Sequence, residues 1–508
     1  MNSTVMKRAT QGVSAKPAGR VAVPAPMRPQ VVNVRLPAAR VAANDTEEIE
    51  LLEKALRLAK DRATAAKAAA AAKPANNGSY TGKAFTVKTF NAISPIGLTR
   101  FPAGKYAVSG DDKQLPDSPM AIMLRSHKLK EEEVAPTVRC IVRCGAGTNN
   151  IPVERMTELG IPVFNTPGAN ANAVKELVVC ALLLASRGIV EGNNHVNNVI
   201  NVEEKMDYEK IAKRIEVDKA KFVGCEIAGK TLGVVGLGAI GGMVVNAALA
   251  LGMKVVGYDP VLSMEAAWRL PGDRMTKANC LEDLLKASDY ITVHVPYIKN
   301  ATHHMLNSKT LQLCKPGVHL LNFSRGEIID GEAVRDLWAD GKMTGKYISD
   351  FADAALSGHP RHVVLPHLGA STEEAEDNSA AMAADTVKVF LEYGTIRNSV
   401  NFPQTVLDEK EGLIGARLCI IHRNAPGVLG KITTFMGSKN VNIEQQINTS
   451  RGSIAYTVID FGSVDDPAAF QNELGSTIEE VISSRFIGNA FHDELGQPGT
   501  NFFVKWAK

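Results

Sequence analysis

KTLGVVGLGAIGGMVVNAALALGMKVVGYDP, residues Lys230 to Pro260, decides the fold. Leu232 to Val235 is a short apolar run of the kind that forms a strand buried on both faces. Gly236-Leu237-Gly238-Ala239-Ile240-Gly241 follows at once, then a helical pattern of small residues from Met243 to Leu251. A second strand, Lys254 to Tyr258, ends at Asp259. Strand, glycine turn, helix, strand and acid form the dinucleotide-binding fingerprint in its required context. Gly236 permits the turn, Gly238 lets the backbone approach a pyrophosphate, and Gly241 lets the helix pack on the strand. The N–H groups around Ala239 and Ile240, with the positive end of the helix, would hold the phosphates. Asp259 would accept hydrogen bonds from the adenosine ribose and repel a 2′-phosphate, so the expected cofactor is NAD rather than NADP.

Outward from this stretch, 508 residues suffice for about three domains. The formal net charge is +3, yet the first 44 residues hold seven Lys/Arg and no acid, and removing those seven leaves the rest at −4. A mildly acidic body argues against a nucleic-acid surface. Seven cysteines without a CxxC pair fit a reducing compartment, and no metal site is expected. No apolar run reaches membrane-spanning length. Residues 1–44, with spaced arginines among Ala, Val, Pro and Ser, read as a transit peptide to a plastid, with the mitochondrion as the alternative.

Asp45 to Lys73 reads as a helix, and a linker completes 45–84. Three strand patterns follow: Ala121 to Leu124, Val138 to Val142 and Ile161 to Phe164. Each ends in polar or glycine residues, and a helix spans Asn170 to Ala185. They predict a second α/β domain from 85–185 and 368–400, into which a cofactor domain of 186–367 is inserted. In the cofactor domain, Tyr290 to Val293, Val318 to Asn322, Lys346 to Ser349 and Val363 to Leu365 are further strands. Ligands in open parallel sheets sit at the carboxyl ends of strands, so Gly238, Asp259, His294, Arg325, Asp350 and His367 are expected on one crevice. Ser371 to Glu374 has a capping-box pattern opening a helix to about Glu392. After a linker at 401–414, residues 415–488 show a βαββαβ order expected of a small ferredoxin-like module, followed by a tail, 489–508.

These motifs resemble the D-2-hydroxyacid dehydrogenase family, and within it the phosphoglycerate dehydrogenases. The resemblance rests on Leu124-Arg125-Ser126, Arg143 to Asn150 (RCGAGTNN), Asn165 to Asn170, the fingerprint, Asn322 to Gly326 (NFSRG) and Pro366 to Thr372 (PHLGAST), in family order. It implies NAD-dependent oxidation of 3-phosphoglycerate to 3-phosphohydroxypyruvate, the entry step to serine. A hydroxypyruvate or glyoxylate reductase and a non-enzymatic NAD-sensing corepressor are the alternatives on the same fold. It also implies a homo-oligomer, dimer or tetramer.

By the same resemblance Arg325 anchors the substrate carboxylate and C2 oxygen, for which a guanidinium's paired donors are suited. His367 is the general acid/base, a role suited to a group titrating near neutrality. The cofactor residues extend to His294, Val295, Pro296, Thr302, Ser324, Asp350 and Gly369. The substrate residues are Arg125, Ser126, Arg143, Gly145 and Gly147; two arginines suit a phosphate-bearing substrate. The C-terminal module resembles the ACT domain, with His422, Asn424 and Asn442 on its serine-contacting pattern. The sequence departs from the family between Asp350 and His367. The Glu expected to pair with the histidine is absent, and Asp353 is the acid expected to orient His367 instead.

Overall fold

The computed structural model describes residues 85–109, 119–407, 416–462, 464–488 and 503–505. The expected transit peptide, the 45–84 helix and linker, the second half of the 401–414 linker and most of the 489–508 tail lie outside them. The described residues form one compact unit around three sheets.

The first sheet is parallel, in the order β2-β1-β3-β4-β5. Its strands are β1 (Phe85–Phe90), β2 (Tyr106–Ser109), β3 (Ala121–Leu124), β4 (Cys140–Arg143) and β5 (Val163–Phe164). All four residues of β3 are buried, as expected of a central strand covered on both faces. Helix α1 (Val153–Glu158) follows β4, and α2 (Ala171–Ser186) carries the chain to the next domain.

The second sheet has seven parallel strands. They are β6 (Thr231–Val235), β7 (Lys254–Tyr258), β8 (Thr276–Lys277), β9 (Tyr290–Val293), β10 (His319–Asn322), β11 (Tyr347–Ser349) and β12 (His362–Val364). Their order is β12-β11-β10-β9-β6-β7-β8, doubly wound with its reversal between β6 and β9. Register aligns Val235 with Tyr258 and with Val293, Val293 with Asn322, and Asn322 with Ser349. Gly236, Asp259, His294, the Ser324–Arg325 turn and Asp350 therefore emerge along one rim. Helix α3 (Ala239–Ala250) starts on that rim.

Helix α4 (Glu373–Tyr393) returns to the first sheet. Its cap is Thr372, one residue beyond the expected Ser371: Thr372 is extended and its Oγ1 accepts from Ala375 N–H at 3.1 Å. Three glutamates in its first turn suit the helix dipole. Gly394, at φ 74°, ends it.

The third sheet is antiparallel, β14-β15-β13-β16-β17. Its strands are β13 (Ala416–Arg423), β14 (Ile443–Arg451), β15 (Ile454–Phe461), β16 (Val481–Gly488) and β17 (Phe503–Lys505). With α5 (Val428–Ser438) and α6 (Pro467–Thr477) on one face it is an ACT-like βαββαβ module. Its other face joins the first domain in a single core. Cys419, Ile421, Tyr456, Val458 and Ile487 pack with Phe164, Phe390, Leu391 and Phe402. The module also supplies donors to the carbonyl end of α4. Arg485 donates to Phe390 O (2.7 Å) and Leu391 O (3.2 Å), Arg417 to Tyr393 O (2.8 Å), and Tyr456 to Gly394 O (2.7 Å). The Arg417 guanidinium is 1% exposed and is held by Asp460 through two bonds, at 2.6 and 2.8 Å. That bidentate pairing is what permits its burial. Among the described residues no helix is long and apolar enough to cross a membrane, and no His/Cys/Asp/Glu cluster could hold a metal.

Candidate active site

The two parallel sheets bring their carboxyl rims together. Gly168, on the loop after β5, lies against α3: a Cβ there would sit 3.1 Å from Ala239 Cβ. The cofactor floor is the glycine turn. A Cβ on Gly241 would meet Gly236 O at 1.9 Å, and one on Gly236 would meet His294 O at 2.6 Å, so both positions require glycine. A Cβ on Gly238 would meet nothing within 4 Å, which leaves open space where a pyrophosphate would approach. No acceptor among the described residues takes the N–H of Gly238, Ala239 or Ile240. These residues fit a dinucleotide.

Around the turn, Asp259 accepts from Leu237 N–H (2.9 Å) and Val261 N–H (3.0 Å), which fixes its carboxylate beside the loop. Ser324 Oγ donates to Val293 O (2.6 Å) and ties two strand ends together. Thr302 Oγ1 donates to Pro296 O and accepts from Ile298 N–H, both at 2.7 Å, and so shapes the Val295–Pro296 loop. His294 Nε2 lies 2.9 Å from Thr292 Oγ1, and its Nδ1 is shut off from solvent without a partner. Burial pushes its pKa down to about 3, so the ring is neutral.

Three arginines lie together at these rims: Arg125 and Arg143 at the ends of β3 and β4, and Arg325 after β10. Arg143 donates from Nη1 to Gly147 O (2.5 Å) and from Nε to Arg125 O (3.1 Å). A Cβ on Gly147 would sit 3.1 Å from both Arg143 Nη1 and Arg325 Nη2, so the two guanidiniums flank one glycine. Burial, then the neighbouring Arg325 and Arg125, push Arg143 below its usual pKa. Arg125 is ion-paired to Glu376 on α4, whereas among the described residues the Arg325 guanidinium donates only to its neighbour's carbonyl, Ser324 O (2.6 Å). The crevice therefore presents uncompensated positive charge. Gly145 turns its N–H to Arg143 O (2.9 Å), which removes it as a substrate donor and leaves Gly147 for that role.

His367 sits exposed in the left-handed region at φ 57°, a conformation few non-glycine residues adopt. Two features hold it. Asp350, 3% exposed, accepts from Leu368 N–H (2.8 Å) and Gly369 N–H (2.7 Å). Both its oxygens are thus bound to the loop that carries the histidine. Phe351 places its ring at 70° to the His367 ring, with centroids 5.1 Å apart.

Asp353 is not part of this arrangement. Its carboxylate accepts from Ala355 N–H (2.8 Å) and packs against Gly331. Among the described residues no hydrogen bond or ion pair joins it to His367. The expectation that Asp353 orients the histidine is corrected: the chain turns into a 3₁₀ segment there and spends the acid as its cap.

The effector pattern divides as well. His422 is 2% exposed, and its ring nitrogens contact Thr457 Oγ1 and Arg423 O, both at 2.9 Å. It is an internal residue of a strand paired on both sides. Asn424 holds Gly452 O (3.0 Å), and Asn442 is exposed. Sequence reasoning missed Asn91, whose Oδ1 accepts from the N–H of Ser126 (3.1 Å) and His127 (2.7 Å) and sets the Arg125 loop. It also missed Phe351 and Glu376. A polar residue after β1 was the only available signal for Asn91, and neither of the others carried one.

Comparison with known proteins bears on this geometry. Residues 190–369 match the family described as D-isomer specific 2-hydroxyacid dehydrogenase, NAD binding domain. The D-3-phosphoglycerate dehydrogenase of Escherichia coli K12 is 31% identical over 416 residues, covering 79% of this chain and 95% of that protein. This chain belongs to the D-3-phosphoglycerate dehydrogenase family. A second member, D-3-phosphoglycerate dehydrogenase 1 of Saccharomyces cerevisiae, is 28% identical over 406 residues, covering 73% of this chain and 81% of the yeast protein. An NADPH-dependent glyoxylate/hydroxypyruvate reductase of Sinorhizobium meliloti shares the fold, at a TM-score of 0.50 and 20% identity over 62% of this chain and 97% of that one. As a member of the D-3-phosphoglycerate dehydrogenase family, the chain is an NAD-dependent D-2-hydroxyacid dehydrogenase.

Proposed function

We propose that the protein oxidises 3-phosphoglycerate to 3-phosphohydroxypyruvate, the first step of the phosphorylated route to L-serine. The supporting observation is the arginine group: Arg143 and Arg325 flank Gly147, Arg125 lies beside Arg143, and Glu376 is paired to Arg125. A carboxylate needs one such anchor, and a second anionic group accounts for the others.

In this reading Arg325 holds the carboxylate and the C2 oxygen. His367 takes the C2 hydroxyl proton, and Gly147 N–H with Arg143 and Arg125 receives the phosphate. Bound NAD supplies the hydride acceptor. Asp350 and Phe351 keep the imidazole at the reacting carbon.

The test is the initial rate with NADH on 3-phosphohydroxypyruvate, hydroxypyruvate and glyoxylate, each with and without L-serine. A preference of about a hundredfold or more for the phosphorylated acid is expected from two charge-assisted contacts. Equal rates would move the activity to a general hydroxyacid reductase.

Three further parts of the reading go with it. The protein is a homo-oligomer, supported by exposed Val202, Met206, Tyr208 and Val217 on the segment between α2 and β6; sedimentation showing a monomer would refute it. L-serine is a feedback effector sensed near Asn442, refuted by unchanged rates in the assay above. Residues 1–44 direct the chain to a plastid; a fluorescent fusion of that segment entering mitochondria alone would reverse the assignment.

A further inference from the structure

The Arg125 guanidinium, which receives the substrate phosphate in the proposed reaction, already holds an anion: its Nη2 donates to a carboxylate oxygen of Glu376. The two main chains are held in place. Arg125 O accepts from Arg143 Nε (3.1 Å) and Asn150 Nδ2 (3.2 Å), and the next two N–H groups, of Ser126 and His127, bind Asn91 Oδ1. Glu376 lies in the first turn of α4, which Thr372 caps. One residue on, Asp377 accepts from Ser94 Oγ, and the helical turn Pro95–Leu98 packs so closely that a Cβ on Gly97 would sit 2.5 Å from Ala380 C. The two side chains are not held in this way. They are 44% and 41% exposed, and an ion pair open to water contributes little by itself.

This contact differs in kind from those of the other two arginines. Arg143 donates to the carbonyls of Gly147 and Arg125, and Arg325 to that of Ser324. A carbonyl satisfies a donor but leaves the cation's charge unmatched, whereas a carboxylate matches it. Carboxylate and phosphate both accept from a guanidinium through paired oxygens, so Glu376 and a substrate phosphate compete for Arg125.

We propose that Glu376 is a specificity-determining residue, an internal counter-anion that occupies Arg125 until the substrate phosphate displaces it. The inference rests on the phosphoglycerate reading and deepens it. A free anion such as inorganic phosphate must displace Glu376 at its bulk concentration. The phosphate of a substrate whose carboxylate is already on Arg325 does so at the higher effective concentration that its short tether sets. Glu376 thereby keeps loose anions off Arg125, admits a tethered one, and raises KM for the phosphorylated acid. An acid without a second anionic group leaves the pair in place.

The experiment measures KM with NADH for 3-phosphohydroxypyruvate and for hydroxypyruvate, and the inhibition constant of inorganic phosphate against the former. The proteins are the full-length native chain, Glu376→Gln, Arg125→Gln and the double variant. Glutamine keeps the length of the side chain and removes its charge, and α4 keeps Glu373 and Glu374 in its first turn. In Glu376→Gln the KM for 3-phosphohydroxypyruvate, relative to that for hydroxypyruvate, should fall about two- to fivefold, and the inhibition constant of inorganic phosphate should fall comparably. With Arg125→Gln already present, the same substitution should change neither, because the two side chains act as one pair. A native protein that prefers the phosphorylated acid, with a relative KM unchanged or raised in Glu376→Gln, overturns the inference and leaves the phosphoglycerate reading standing. So does an effect of Glu376→Gln that persists in full without Arg125. A native protein with equal KM for both acids overturns the two together.

Discussion

Replacing Arg143 with glutamine separates two roles of one side chain. Two of its donors are committed to the loop, to Gly147 O and Arg125 O. The remaining guanidinium donors are left for an anion. Loss of the loop bonds should depress turnover on every 2-keto acid. Loss of the anion contact should depress it only on the phosphorylated one. A charge-assisted hydrogen bond contributes about 1.5–3 kcal/mol, which corresponds to a factor of about 10 to 150 in kcat/KM. Relief of the repulsion with Arg325 offsets part of this, so the lower half of the range is expected. The assay is kcat/KM with NADH for 3-phosphohydroxypyruvate divided by that for hydroxypyruvate, in the native protein, Arg143→Gln and Arg143→Lys. The ratio should fall about tenfold or more in Arg143→Gln. It should fall less in Arg143→Lys, which keeps the charge but not the fork. An unchanged ratio in Arg143→Gln would show that Arg143 shapes the loop and does not touch the phosphate.

Asp350→Asn places an amide nitrogen against a backbone N–H at Leu368 or Gly369; kcat should fall about 10- to 100-fold while NAD affinity changes little, and a loss confined to NAD affinity would point to a cofactor contact instead. Asp353→Ala should leave turnover and its pH profile unchanged and cost about 1 kcal/mol of stability, read by denaturant titration; a hundredfold loss of kcat would restore Asp353 to the site. Burial holds His294 and His319 neutral, with pKa values lowered to about 3 and about 4. The unfolded chain binds more protons than the native one between those values and about 6.5, so stability is full above pH 6.5 and declines as pH falls toward 4. Replacing His319 with Gln should flatten that decline in urea titrations, and an identical slope would refute it.

Much of the crevice was legible because parallel strands buried on both faces are short, apolar and end in polar residues. Asp259, His294, Arg325 and Asp350 could be assigned to one rim from strand ends alone. Side-chain direction could not. Asp350 and Asp353 are three residues apart on one short segment, yet one holds the histidine loop and the other caps a turn behind it. His422 falls on the serine-contacting pattern of the ACT resemblance, but β13 is paired by β15 and β16 and covered on both faces. Asn91 acts on Arg125 only because β1 and β3 are neighbours, a pairing that local patterns do not encode. The segment 189–218, with a five-residue π-helical stretch at Val196–Ile200, has no simple apolar period and was not resolved into elements.

The seam between Phe390, Leu391 and the ACT-like sheet has a consequence for how this molecule comes apart. Because Tyr456, Arg417 and Arg485 complete the end of the helix that begins six residues after His367, truncating the chain before β13 would strip a wall from the catalytic half. Heat or urea should therefore melt both halves in one cooperative transition, and the truncated chain should aggregate instead of surviving as an active enzyme. Dehydrogenase domains and ACT-like module share one core, so a substitution in one is constrained by the packing of the other.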